Sequence, residues 1–194
     1  MTTSLRNSTQ TTVNASSEIL ATTRLLRDFD PSADSMKTQK LLYFIQGSYL
    51  AQTGKPLFPE SPQAWTYGPV YPCVYFDIRN NRGATRHADT SILTNAQREL
   101  ITAVAEKFKG ISATSLMKKT HEPGPWTEAR AGLPNGASSQ KSITHQSMMR
   151  YFSRPGMAIV SPHTCSESRW DELPEGLMES EENRWAGLLA RLAS

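Results

Sequence analysis

Apolar positions recur at helical spacing along most of the chain. From Ser17 to Phe29, Ile19, Leu20, Thr23 and Leu26 share one face, and Asp30-Pro31 stops the pattern. A second helix is expected from a cap at Ser35 to an end near Gly54. Its Leu41, Leu42, Phe44, Ile45, Tyr49 and Leu50 cover more than one face, which places it at the centre of the fold. The periodicity then changes. In Gln63 to Tyr75 (QAWTYGPVYPCVY), alternation at Ala64, Trp65, Thr66 and Tyr67 predicts a short strand, Gly68-Pro69 a turn, and Pro72 the first position of a helix over Cys73 to Asn80.

Helical spacing returns downstream. Thr94 and Gln97 form a capping-box pattern that opens a helix with Leu100, Ile101, Val104 and Phe108 inward and Gly110 past its end. Ser112 caps another through Leu116 to Thr120. Glu122 to Pro125 breaks the chain before a short helix at Trp126 to Arg130, and Leu133 to Ser142 reads as a loop. A last domain helix is expected near Thr144 to Phe152. The fold class is therefore mainly α: a compact helical domain with a small β-hairpin insertion and a C-terminal amphipathic helix. Residues 1–16, rich in Ser, Thr and Asn, are expected to be disordered, 17–153 to form the domain, and 154–194 to form an acidic tail. Within that tail Trp185, Leu188, Leu189 and Leu192 make one apolar stripe, suited to docking on the domain's own core or on a partner.

Composition narrows the function classes. With 194 residues, 38% apolar and 20% charged, the chain fits one soluble globular domain with an appendage. The N-terminus has no apolar signal region, and no apolar run is long enough for a bilayer, so a cytoplasmic protein with no membrane partner is expected. The net charge of +3 is divided unevenly: four arginines meet seven carboxylates from Arg154 onward, and the body before it is basic. That arrangement allows contact within the chain, contact with a basic partner, or simply two solvated surfaces. Cys73 and Cys165 read as buried or free thiols rather than a disulfide.

The motifs in Met36 to Phe58 and Gln63 to Tyr75 resemble the Panacea domain of SocA-like antitoxins, found in bacterial and phage toxin–antitoxin pairs. The resemblance is carried by Gln39, Lys40, Leu41, Leu42, Tyr43, Phe44 and Gln46, by Gly54, Leu57 and Phe58, and by Ala64, Trp65, Tyr67, Gly68, Pro69, Val70, Pro72, Val74 and Tyr75. Leu116, Thr120-His121 and Pro125-Trp126 extend it downstream. Ile45 departs from the family's usual small residue, a change of packing. The resemblance implies an antitoxin that neutralises a cognate toxin, encoded next to it, by direct protein–protein binding. It also implies a non-enzymatic protein without cofactors.

His87, His121, His145 and His163 are scattered, with no zinc spacing, and no glycine-rich loop signals a nucleotide. His121 is expected to lock the Pro125-Trp126 turn through a hydrogen bond, and Gln46 to find a buried partner. Trp65 is expected to pack the hairpin on the central helix, whereas Tyr67 and Tyr71 are expected to line a partner groove. Base stacking is disfavoured, because no basic residue is interleaved from Gln63 to Val74. Two other binding classes stay open: an adaptor that hands its partner to a protease, and a DNA-binding autoregulator. The latter requires a basic recognition helix, and nucleic acid is accordingly the weaker partner.

Overall fold

The computed structural model describes residues 15–134, 136–157 and 159–160. Nearly all of the expected disordered stretch 1–16, and the stripe of Trp185, Leu188, Leu189 and Leu192, lie outside the described residues. Among those described are seven α-helices and one two-stranded antiparallel sheet, a mainly helical architecture. The helices are α1 (Ser17–Phe29), α2 (Ser35–Thr53), α3 (Pro72–Arg79), α4 (Asn95–Lys107), α5 (Ala113–Thr120), α6 (Pro125–Ala129) and α7 (His145–Phe152). The hairpin strands β1 (Gln63–Trp65) and β2 (Gly68–Val70) stand between α2 and α3.

α2 is the axis of the fold. It is buried on every side, from Lys37 through Ser48, and packs against α1, α3, α4, α5, α7 and β2. Its cap is Asp34, whose side chain accepts from the Lys37 N–H, and Ser35 is the first helical residue instead of the expected cap. Aspartate there also places a negative charge at the positive end of the helix. Around α2 the aromatic core closes tightly: Phe44 stacks on Phe108 with centroids 4.9 Å apart, and Tyr43 meets Phe152 edge-on at 5.4 Å. Gly47 permits this approach, because a Cβ there would fall 2.2 Å from the Phe152 ring. α4 opens with the expected capping box at Thr94 and Gln97, and Ser112 and Thr144 cap α5 and α7.

The hairpin differs from expectation in one respect. Its register pairs Gln63 with Val70, Ala64 with Pro69 and Trp65 with Gly68, so the turn falls at Thr66-Tyr67, and Gly68-Pro69 belongs to the second strand. Gly68 is buried and has φ +99°, and a Cβ on it would lie 2.7 Å from Thr120 Oγ1 and 2.8 Å from Lys40 Cε. The glycine is therefore needed for a close approach beneath the strand as well as for its backbone conformation. Pro69 is tolerated because a two-stranded sheet demands few N–H donors.

Packing continues past Ser153, the expected domain limit. Ile159 and Val160 are buried, and their carbonyls accept from Lys107 Nζ and Gln52 Nε2.

Candidate functional site

Beneath the hairpin lies a cavity of about 710 Å³. Its floor is the first turns of α2, where Ser35, Met36, Gln39 and Lys40 project together because residues three or four apart share a helix face. Trp65, Thr66, Tyr67 and Val70 form the hairpin wall, Tyr75 of α3 extends it, and Ser138 to Gln140 form the opposite rim. Tyr67, 68% exposed, stands at the mouth.

Long-range bonds hold this wall in place. Trp126 Nε1 donates to Trp65 O at 2.9 Å and Arg130 Nη1 to Ala64 O at 2.9 Å. The segment after the rim completes the clamp: Ala64 N donates to Lys141 O at 2.8 Å, and Ile143 N to Pro62 O at 2.7 Å. His121 stacks flat on Trp126, with centroids 3.8 Å apart. Its expected hydrogen bond to the turn is not made, since Nε2 is buried without a partner and the stack does the locking. Burial, with Lys40 and Arg130 nearby, lowers the His121 pKa, which keeps the ring neutral and free to stack.

The structure reverses the expected roles of two aromatics. Tyr71, expected to line a partner groove, is fully buried and meets Phe58 edge-on at 5.3 Å. Its hydroxyl has no partner, and burial raises its pKa well above the ordinary value. Trp65, expected to be core, is only half-buried, packs edge-on against Tyr75 at 5.1 Å and lines the cavity. Because the turn comes earlier than Gly68-Pro69, Tyr71 falls at the entry of α3, under the sheet, while Tyr67 sits on the turn itself. The other motif residues divide between core and site. Leu41, Leu42 and Tyr43 are core; Gln46 bonds to Phe58 O and to the Leu57 N–H; Pro72 opens α3; Thr120 donates to Met117 O; and Pro125 opens α6. Val70 and Tyr75 face the cavity.

Sequence reasoning attached no site role to Gln39 and Lys40. Lys40 is 1% exposed, and its ammonium donates to Pro69 O at 3.1 Å, with no carboxylate paired to it among the described residues. Burial lowers its pKa to about 7. Gln39 Oε1 accepts from the Tyr71 N–H at 2.7 Å, whereas its Nε2 is buried and unpartnered; Ser35 Oγ is likewise unpartnered. The available signal was a lysine in a helix apolar on more than one face, where the ammonium has little access to water.

Among the described residues no cluster of His, Cys, Asp and Glu could hold a metal, and no helix is long and apolar enough to cross a membrane. Cys73 is half-buried, and burial pushes its thiol up to about 11, unlike an activated nucleophile. Because α2 is enclosed on all sides, it offers no face to a nucleic-acid groove.

Antitoxin SocA of Caulobacter vibrioides (strain NA1000 / CB15N) is 44% identical over 46 residues, and the match covers 24% of this chain and 24% of that protein. No solved structure matches. A family model described as antitoxin SocA-like, Panacea domain, matches residues 38–127, which include Gln39, Lys40 and the whole hairpin wall. Residues 38–127 of this chain thus match the Panacea domain of SocA-like antitoxins.

Proposed function

We propose that this chain is an antitoxin that neutralises a cognate toxin by direct contact, with the cavity under the hairpin as the principal contact surface. The observation that carries this reading is an open, aromatic-walled cavity of about 710 Å³ built largely from the segment that matches the antitoxin family. Aromatic side chains held rigid by their surroundings make good interface anchors, because little conformational freedom is lost on binding. Trp65 and Tyr75 are braced by each other, and Tyr67 projects to solvent, ready to be covered. Binding, rather than catalysis, is what these groups are suited to. The apolar stripe at Trp185, Leu188, Leu189 and Leu192 is proposed as a second partner contact.

The test is co-expression with the protein encoded by the adjacent gene. Growth rescue at an unchanged toxin level, lost on Tyr67→Ala in a chain that still folds, supports direct neutralisation. Rescue that requires a cellular protease and lowers the toxin level favours delivery of the partner to degradation. Truncation after Val160 keeps every packed residue described; loss of rescue with unchanged melting would assign the stripe to the partner.

A further inference from the structure

We propose that the cavity is a receptor for a monoanionic carboxylate carried on an apolar body, seated against Lys40, Gln39 and Ser35. The inference refines the partner-binding reading by naming the chemistry that the groove accepts.

Hydrogen-bond inventory leads to the anion. Lys40 has three N–H donors and spends one on Pro69 O. The Gln39 amide is fixed by the Tyr71 N–H, which can only meet its oxygen, so both N–H donors of Nε2 remain unused. Ser35 Oγ adds a further free hydroxyl. Three neighbouring side chains therefore offer buried donors to one cavity, and buried donors without acceptors are costly unless something arrives to meet them. The missing group is an acceptor, and the buried ammonium selects a negative one.

Charge sets the valence. Lys40 is the one charged side chain lining the cavity among the described residues. A single carboxylate neutralises it, whereas a phosphate dianion would leave a buried negative charge uncompensated. Met36, Trp65, Val70 and Tyr75 supply the apolar surroundings for the rest of the ligand, and the volume exceeds what one carboxylate needs. Burial already pushes Lys40 down to about 7, so an arriving carboxylate draws a proton onto it. The carboxylate of a partner's C-terminal apolar residue and a small free acid share this chemistry.

The experiment uses the purified full-length chain without toxin, so the carboxylate site and the antitoxin reading can fail separately. Calorimetric titration compares N-acetylleucine, N-acetylleucinamide and phenyl phosphate. Saturable binding of the acid is expected, about tenfold or more tighter than the other two, since a charge-assisted hydrogen bond supplies at least that factor. At a pH above the Lys40 pKa, titrations in buffers of different ionisation enthalpy should report proton uptake. Lys40→Met should abolish the preference for acid over amide. Gln39→Glu keeps an acceptor for the Tyr71 N–H but supplies an internal carboxylate, and should lower affinity by about tenfold through like-charge repulsion and prior pairing with Lys40. A pentapeptide ending in a free leucine carboxylate separates the two sources. Tighter binding than N-acetylleucine identifies a protein terminus and equal binding a small acid, and both uphold the carboxylate site. Equal affinity for acid and amide, preference for phenyl phosphate, or absence of saturable binding to the folded wild-type chain overturns it.

Discussion

At Gln46, in the C-terminal half of α2, both ends of the amide have protein partners, Phe58 O at 2.7 Å and the Leu57 N–H at 2.9 Å. At Gln39, about two turns earlier, only one end does. The lysines of the helix repeat the contrast. Lys37 is buried against Asp30 at 2.8 Å and Lys109 O at 2.8 Å, whereas Lys40 is buried with one carbonyl and no anion. One helix thus holds two kinds of buried polar group. The first kind ties loops to the core and is complete within the chain. The second faces a cavity and is completed from outside. Burial alone does not separate structural from functional polar groups; the accounting of partners does.

The ion pair should give the largest effect. Asp30→Ala leaves the Lys37 ammonium buried beside a lost anion, and is expected to cost about 3–5 kcal/mol in urea unfolding. Lys40→Met should stay within about 1 kcal/mol of wild type or exceed it, since it removes an unpaired buried charge and one hydrogen bond. Equal losses at the two lysines would erase the contrast.

Tyr71 tests the reversed assignment of the aromatics. Tyr71→Ala should cost about 3–5 kcal/mol as a core truncation, and Tyr71→Phe almost nothing, because the hydroxyl has no partner to lose. A harmless Tyr71→Ala would return that residue to the surface. Gln46→Leu should cost about 2–3 kcal/mol by stranding the Leu57 N–H and Phe58 O.

Titration of Lys40 sharpens the comparison further. Its pKa is about 7 folded against 10.5 for an ordinary lysine, so between these values the unfolded chain binds the extra proton and stability rises with pH. From about pH 7 to 8.5, unfolding free energy should climb by at most about 1.4 kcal/mol per unit, and Lys40→Met should flatten the slope. A wild-type slope that Lys40→Met leaves unchanged would mean that another group titrates. The smallest effect belongs to Tyr67→Ser, expected within about 0.5 kcal/mol of wild type because an exposed ring contributes little to folding. A clear melting loss would show that Tyr67 supports the hairpin.

Much of the frame was legible in the chain. Thr94 with Gln97, Ser112, Thr144 and Pro72 carry short-range chemistry that acts within one helical turn, and each marks an observed helix start. The site was less legible, because its geometry depends on register and on distant segments. With the turn at Thr66-Tyr67, two residues earlier than Gly68-Pro69, Tyr67 stands on the exposed turn, the second strand ends at Val70, and Tyr71 falls at the buried entry of α3. Nothing local to Ser138–Gln140 announced that this loop would stand across from α2. Lys40 was readable as an anomaly, but its partner count needed the position of Pro69.

The clamp on the hairpin also sets an order of events during synthesis. The floor of the cavity is translated early, at Ser35 to Lys40, yet β1 is fastened by Trp126, Arg130 and Lys141, and Pro62 just before it by Ile143. A nascent chain that has not reached Ile143 therefore has the cavity floor but not the complete set of bonds that hold the near wall. Domains fold as units once their last contacts emerge. On the antitoxin reading proposed above, competence to bind arrives only late in translation, and a chain cut short before Ile143 lacks the segments that complete the cavity.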